Sequence, residues 1–258
     1  MPHRREATEV ATSNCLAVQV GQLLVLELGR VPYTQAWELQ HSLVKARQER
    51  RVDDILLLLE HQAVITLGRS ADARHILASP EALHGLGIQV QRIERGGDVT
   101  YHGPGQLVGY PILHLASRHL GVSDYMHALE QVLIHTLADF GLPAHRQDGV
   151  IGVWIGEAKI ASLGARVEDG VTYHGFALNV NTNLEHFGLI VPCGLAGISV
   201  TSVERELGRP VEMSLARRLV LQRFSQVFGV DLTVTTPRKL NLWKPSGSAD
   251  DSDGAGAR

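Results

Sequence analysis

Three stretches of the chain hold residue types whose spacing permits covalent acyl chemistry. In LIVPCGLAGISVTSVE, residues 189–204, Cys193 is preceded by Pro192 and followed by Gly194. The proline fixes the approach of the backbone, and the glycine amide is free to meet an acyl oxygen. The segment runs on into a helix expected to be capped by a Thr201/Glu204 box, and a helix N-terminus nearby favours thiolate over thiol. A free cysteine is more often a small buried hydrophobe than a nucleophile, but a glycine-rich loop is a poor place to hide a core residue. Cys15 lies in a plain apolar run and reads as the hydrophobe.

In GVWIGEAKIASLGARVEDGVTYHGFALNVN, residues 152–181, two strand-like runs flank EDG and predict a hairpin with Lys159 on one side and His174 on the other. Lys159 stands between Ala158 and Ile160. A lysine desolvated there has a lowered pKa and serves as a base, whereas a lysine on an exposed edge strand is the commoner case. His174 and His102 have the same competitor, a satisfied structural histidine. The third stretch, ERGGDVTYHGPGQLVGYP at 94–111, places five glycines among polar side chains after a strand. Its backbone is suited to close approach to a ligand. A phosphate loop is the rival, but neither GxxxxGK[ST] nor GxGxxG followed by a helix occurs here. A bulged hairpin without a site is the remaining alternative.

The elements that must position these residues alternate without a repeat. Strands are expected at 23–28, 54–60, 63–68, 88–94, 107–113, 152–157, 159–167 and 172–180. Helices are expected at 34–50, capped by Thr34; after Ser79 and Pro80; at 123–140, capped by Ser123; and at 213–228, closed by Gly229. Strands not regularly separated by helices imply a mixed sheet with helices packed on it, an α/β (α+β) domain. The domain is expected to span 15–244, between a flexible arm at 1–14 and a disordered acidic tail at 245–258.

Composition narrows the function. The formal charge of −3, of which about −2 sits in the tail, gives no basic footprint for nucleic acid. The run ILLLL ends at Glu60 and no segment reaches the roughly 20 apolar residues of a membrane span. The N-terminal residues lack the pattern of a secretory signal, and two cysteines make no disulfide framework, so a cytoplasmic protein is expected. Thirteen histidines without CxxC or HExxH give little support for a metal.

The blocks RGGDVTYHGPGQLVGYP, GEAKIASLGARVEDGVTYHGFALNVN and VPCGL followed by SVTS, in that order, resemble the lipoyl (octanoyl) transferases of lipoate biosynthesis, over about Leu23 to Leu232. Asp98 departs mildly, since the family often carries a different polar residue there. The resemblance implies a single α/β domain similar to the catalytic domains of biotin and lipoate protein ligases. It implies transfer of octanoyl from octanoyl-acyl carrier protein to a lysine of the lipoyl domains of 2-oxo acid dehydrogenases or of the glycine-cleavage H protein; separately, a monomer is expected. Cys193 is then the thioester nucleophile and Lys159 the residue that lowers its pKa. Arg95, Gly96, Gly97, Asp98, Val99, Thr100, Tyr101 and His102 form one wall of the substrate pocket, and Ser162, Leu163, Gly164, Gly175, Phe176 and Ala177 the rest. The donor is already activated, so no cofactor or metal is required. Three other readings remain: an ATP-dependent ligase, an amidotransferase between lipoyl domains, and a carrier-protein binding module without chemistry.

Overall fold

The computed structural model describes residues 21–194, 197–236 and 239. The side chain of Cys193 lies outside this description, as do the arm at 1–14, Cys15 and the tail at 245–258. Strands β1 (Gly21–Val31) and β2 (Ile55–His61) run parallel. β2 is buried throughout except at Glu60, so it must lie inside a sheet covered on both faces. Its side chains alternate accordingly: Leu56 and Leu58 enter one apolar cluster, Leu57 and Leu59 another.

Beyond β2 come β6 (Gln106–Ile112), β10 (Val171–Asn179), β9 (Ala158–Glu168), β8 (Val150–Ile155) and β7 (His145–Gln147), each antiparallel to its neighbour. At the other edge β12 (Val230–Thr235) is parallel to β1, and the short β11 (Ser199–Val200) pairs in parallel with the start of β9. The sheet is therefore mixed. The turn between β9 and β10 has Asp169 at φ +46° and Gly170 at φ +80°, the pair of positive angles that a tight two-residue hairpin requires. A second sheet carries β3 (Val64–Leu67) between parallel β4 (Gln89–Arg92) and antiparallel β5 (Val99–His102). The glycine-rich block at 94–111 thus bridges two sheets, with β5 in one and β6 in the other.

Helix α1 (Tyr33–Gln48) lays Leu39, Leu43 and Val44 on the Leu57 and Leu59 face. Helices α3 (Val122–Asp139) and α5 (Met213–Phe228) cover the opposite face with Tyr125, Leu129, Leu133, Val220 and Phe224. Each such fully buried side chain contributes roughly 1.5–3 kcal/mol. No helix among the described residues is long and apolar enough to cross a membrane.

The expected caps shift by a residue or two. α1 begins after Pro32 and not at Thr34, with no side-chain cap bond, because the proline's fixed φ already suits a helix entry. α3 begins after Gly121, whose N–H donates to Asp124, and Ser123 lies within its first turn. Helix α4 (Val203–Leu207) is capped by Ser202, which accepts from Arg205 N, while the Thr201 hydroxyl donates to Glu206. Ser79 caps α2 (Pro80–Gly85) and Gly229 ends α5 in the left-handed region, both as expected.

Candidate active site

Lys159 is the second residue of β9 and only 4% exposed. Its Nζ lies 5.5 Å from the centroid of the Trp154 ring, on the β8 residue paired with it. The space for the end of this side chain comes from Gly152. A Cβ added there would stand 2.4 Å from Lys159 Cε and 3.1 Å from Nζ, and the φ of +148° is one that other residues rarely adopt. Gly152 is held in turn by α3: its N–H donates to Glu130 Oε1 at 3.1 Å, while Glu130 Oε2 accepts from Arg146 Nε at 2.9 Å. Glu130 is itself buried, so its two oxygens are satisfied by a fixed pair of donors.

A chain of hydrogen bonds ties the three sequence blocks together. His102 Nδ1 donates to Gln106 Oε1 at 2.8 Å, because the Gln106 amide nitrogen is already donating to Tyr101 O and to Asn179 Oδ1. Asn179 Nδ2 donates to Thr201 O at 3.0 Å, and Thr201 N to Lys159 O at 3.0 Å. The glycine-rich loop is pinned separately. Buried Arg95 donates from Nη2 to Thr66 O and Oγ1, each at 2.9 Å, and from Nη1 to Gly96 O, while Gly96 N reaches Ala165 O on β9.

Between this loop and β9–β10 lies a cavity of about 600 Å³, within the usual range for a small-molecule site. Lys159 lines it. So do Arg95, Gly96, Gly97, Asp98, Val99, Thr100 and His102 on one wall, and Ser162, Leu163, Gly164, Gly175, Phe176 and Ala177 on the other. Tyr101 does not. Alternation along β5 turns its ring into the cluster with Phe187, where its hydroxyl meets His186 Nδ1 at 2.8 Å. Tyr110, within the 94–111 block, also lines the cavity, and so do Tyr33, Val122, Met126, Gly149 and the first residues of β8, Val150 and Ile151, which reach it from elements outside that block and carry no local signal of it.

His174 also lines the cavity and is 1% exposed, with φ +55° in the middle of β10. Its N–H donates to Gln40 on α1, and neither ring nitrogen has a hydrogen-bond partner among the described residues. Burial, reinforced by the Arg95 charge, lowers its pKa to about 3, and burial lowers that of His102 to about 4. Both rings are neutral at pH 7. The backbone of Cys193 lies in a tight turn, Pro192–Gly194, closed by Gly194 N to Val191 O at 3.1 Å. Gly194 packs against Asp98, which lines the cavity.

Residues 32–225 of this mixed-sheet domain match the lipoyl protein ligase A/B catalytic domain, the family to which this chain belongs. Within that family it is an acyltransferase. The octanoyltransferase of Alkaliphilus metalliredigens is 47% identical over 214 residues, covering 83% of this chain and 98% of its own. That of Gloeobacter violaceus is 49% identical over 212 residues, covering 82% and 92%. Among solved structures, a lipoate-protein ligase A bound with ATP superposes with a TM-score of 0.70 at 18% identity, over 86% of this chain and 92% of that one. The bipartite lipoate protein ligase of Thermoplasma acidophilum gives 0.68 at 20% identity, over 86% and 90%. These structural likenesses bear out the expected fold.

Proposed function

We propose that the chain transfers an octanoyl group from octanoyl-acyl carrier protein to the lysine of a lipoyl domain or of the H protein, through a thioester on Cys193. The observation that carries this reading is the Lys159 amine, buried in the slot left by Gly152 on the wall of an apolar cavity. Lys159 takes the Cys193 proton. The thiolate attacks the donor carbonyl, the carrier's C–S bond breaks, and the carrier thiolate leaves with that proton. The acceptor lysine amine then attacks the enzyme thioester; the amide C–N bond forms, the C–S bond to Cys193 breaks, and the amine's proton passes through Lys159 to the cysteine. Arg95 to Asp98 hold the loop wall, Thr100 and His102 face the acyl group, and Ser162–Gly164 with Gly175–Ala177 floor the cavity.

The partners are an acyl carrier protein and a lipoyl domain, with no nucleic acid and no cofactor. Two cations of the basic run KARQERR at 45–51, the kind of segment an acidic carrier protein attracts, are already engaged within the fold: Arg47 with buried Asp54 and Arg51 with Glu49. The second reading, an ATP-dependent ligase, is kept because the solved structures of this fold include a lipoate ligase bound with ATP.

Incubation with octanoyl carrier protein and no ATP separates the two. The transferase is expected to carry a hydroxylamine-labile octanoyl group on Cys193, found by mass spectrometry; the ligase carries none. Cys193→Ser is expected to abolish transfer and Lys159→Ala to remove most of it, and full turnover in either variant removes the role assigned to that residue.

A further inference from the structure

One pair of titratable side chains outside the transfer chemistry abuts the cysteine turn. His75 Nδ1 lies 2.7 Å from Asp98 Oδ2, and Asp98 Oδ1 accepts from Val99 N at 2.7 Å. A carboxylate only accepts, so Nδ1 carries the hydrogen and the aspartate uses both of its oxygens. Gly194, the residue after the cysteine, rests directly on this pair. A Cβ added to it would stand 2.4 Å from Asp98 Oδ2 and 3.1 Å from His75 Cε1, and its φ of +69° is in the left-handed region. The chain entering the turn is fastened to the same segment: Val191 N donates to His75 O at 2.7 Å, Leu77 N to Leu189 O at 2.8 Å, and Ile76 bridges Ile190.

A single three-residue turn has little hydrogen bonding of its own to fix it. What holds this one is the segment 75–78 on one side and Asp98 beneath it, and Asp98 belongs to the loop that lines the cavity. We propose that the His75–Asp98 pair is the positioning device for Cys193, clamping the Pro192–Gly194 turn onto the 95–98 loop and so fixing the backbone that carries the cysteine. The inference rests on the reading of Cys193 as the acyl-carrying nucleophile. His75 and Asp98 act through the turn and are positioning residues.

The test follows Cys193 acylation by octanoyl carrier protein, together with kcat and KM, in the wild-type chain and in variants whose fold is checked by melting temperature. His75→Ala and Asp98→Ala are each expected to lower the acylation rate and kcat by about 10- to 100-fold, as misplacement of a reacting group does, with the KM for carrier protein unchanged in His75→Ala, the member of the pair that does not line the cavity. The double variant is expected to be no worse than either single one, because the two act as a unit. Asp98→Asn, whose Oδ1 still accepts from Val99 N and whose amide nitrogen donates to His75 Nδ1 once the ring hydrogen moves to Nε2, is expected to recover most of kcat. Gly194→Ala displaces the turn with both side chains intact, and is expected to reproduce the loss even where an alanine variant at 75 or 98 fails to fold. Wild-type acylation rates in the folded single variants, or losses that add in the double one, overturn the proposal. If the wild-type chain itself never carries acyl on Cys193, the nucleophile assignment falls first and the proposal with it.

Discussion

Whether Lys159 can do its work depends on a residue with no side chain. The lysine's last carbon and its nitrogen occupy the place where a Cβ of Gly152 would be. Gly152→Ala therefore meets two penalties at once, a steric one against Lys159 Cε and a backbone one at φ +148°. Strain of this kind costs about 1–3 kcal/mol, and a base displaced by about 1 Å lowers the rate by about 100-fold. The expected outcome is a folded protein with kcat reduced on that scale and KM nearly unchanged, read by steady-state kinetics beside a urea melt; wild-type kcat in this variant removes the slot from the account. None of this was legible in GVWIGEAKI. The sequence identifies Lys159 by its small, apolar neighbours, but the contact between residues 152 and 159 depends on the β8–β9 register and its bulge between Val153 and Trp154.

Among the elements, β10 joins the loops to the sheet. Asn179, its last residue, accepts from Gln106 and donates to Thr201, whose own N–H reaches Lys159 O. Asn179→Leu leaves one hydrogen of the Gln106 amide, whose other hydrogen still reaches Tyr101 O, and the Thr201 carbonyl unpaired in a buried site, at about 1–3 kcal/mol for each group. The urea midpoint is expected to fall with m unchanged, and kcat with it. An unchanged midpoint shows that water replaces the lost bonds. At this scale the sequence was readable wherever a pattern is local. The β9–β10 hairpin, the buried run of β2 and the stripe of α3 follow from alternation, apolar content and helical period. β12 was missed because its residues are largely exposed, and β5, β7 and β11 because they are too short to show a period. Tyr101 was assigned to the pocket with its neighbours because a motif is contiguous, whereas a strand sends alternate residues to opposite sides. Tyr33, Val122 and Met126 were not legible as cavity residues because only tertiary packing brings α1 and α3 there.

The molecule as a whole carries buried histidines that must stay neutral for it to remain folded. His61 is fully buried, with Nδ1 donating to Val31 O and Nε2 accepting from the Tyr110 hydroxyl, and burial lowers its pKa to about 3. His174 is lowered to about 3 and His102 to about 4, again chiefly by burial. In the unfolded chain each titrates near 6.5. Around and below that pH the unfolded state binds protons that the folded state refuses, so the stability is fully present about a unit above 6.5 and lost as pH falls toward the folded values. Each histidine contributes at most about 1.4 kcal/mol per pH unit in that window, so the three together outweigh most of the stability of an ordinary domain within two units. Between pH 6.5 and 5 ordinary carboxylates remain ionised, which isolates the effect. Urea unfolding at pH 7.5, 6.5, 5.5 and 5.0 is expected to show a loss of only about 1 kcal/mol between the first two values and a steep fall at the last two. His61→Gln, although less stable at pH 7.5, is expected to show a shallower fall. A stability independent of pH down to 5.0 is incompatible with three neutral histidines buried in this fold.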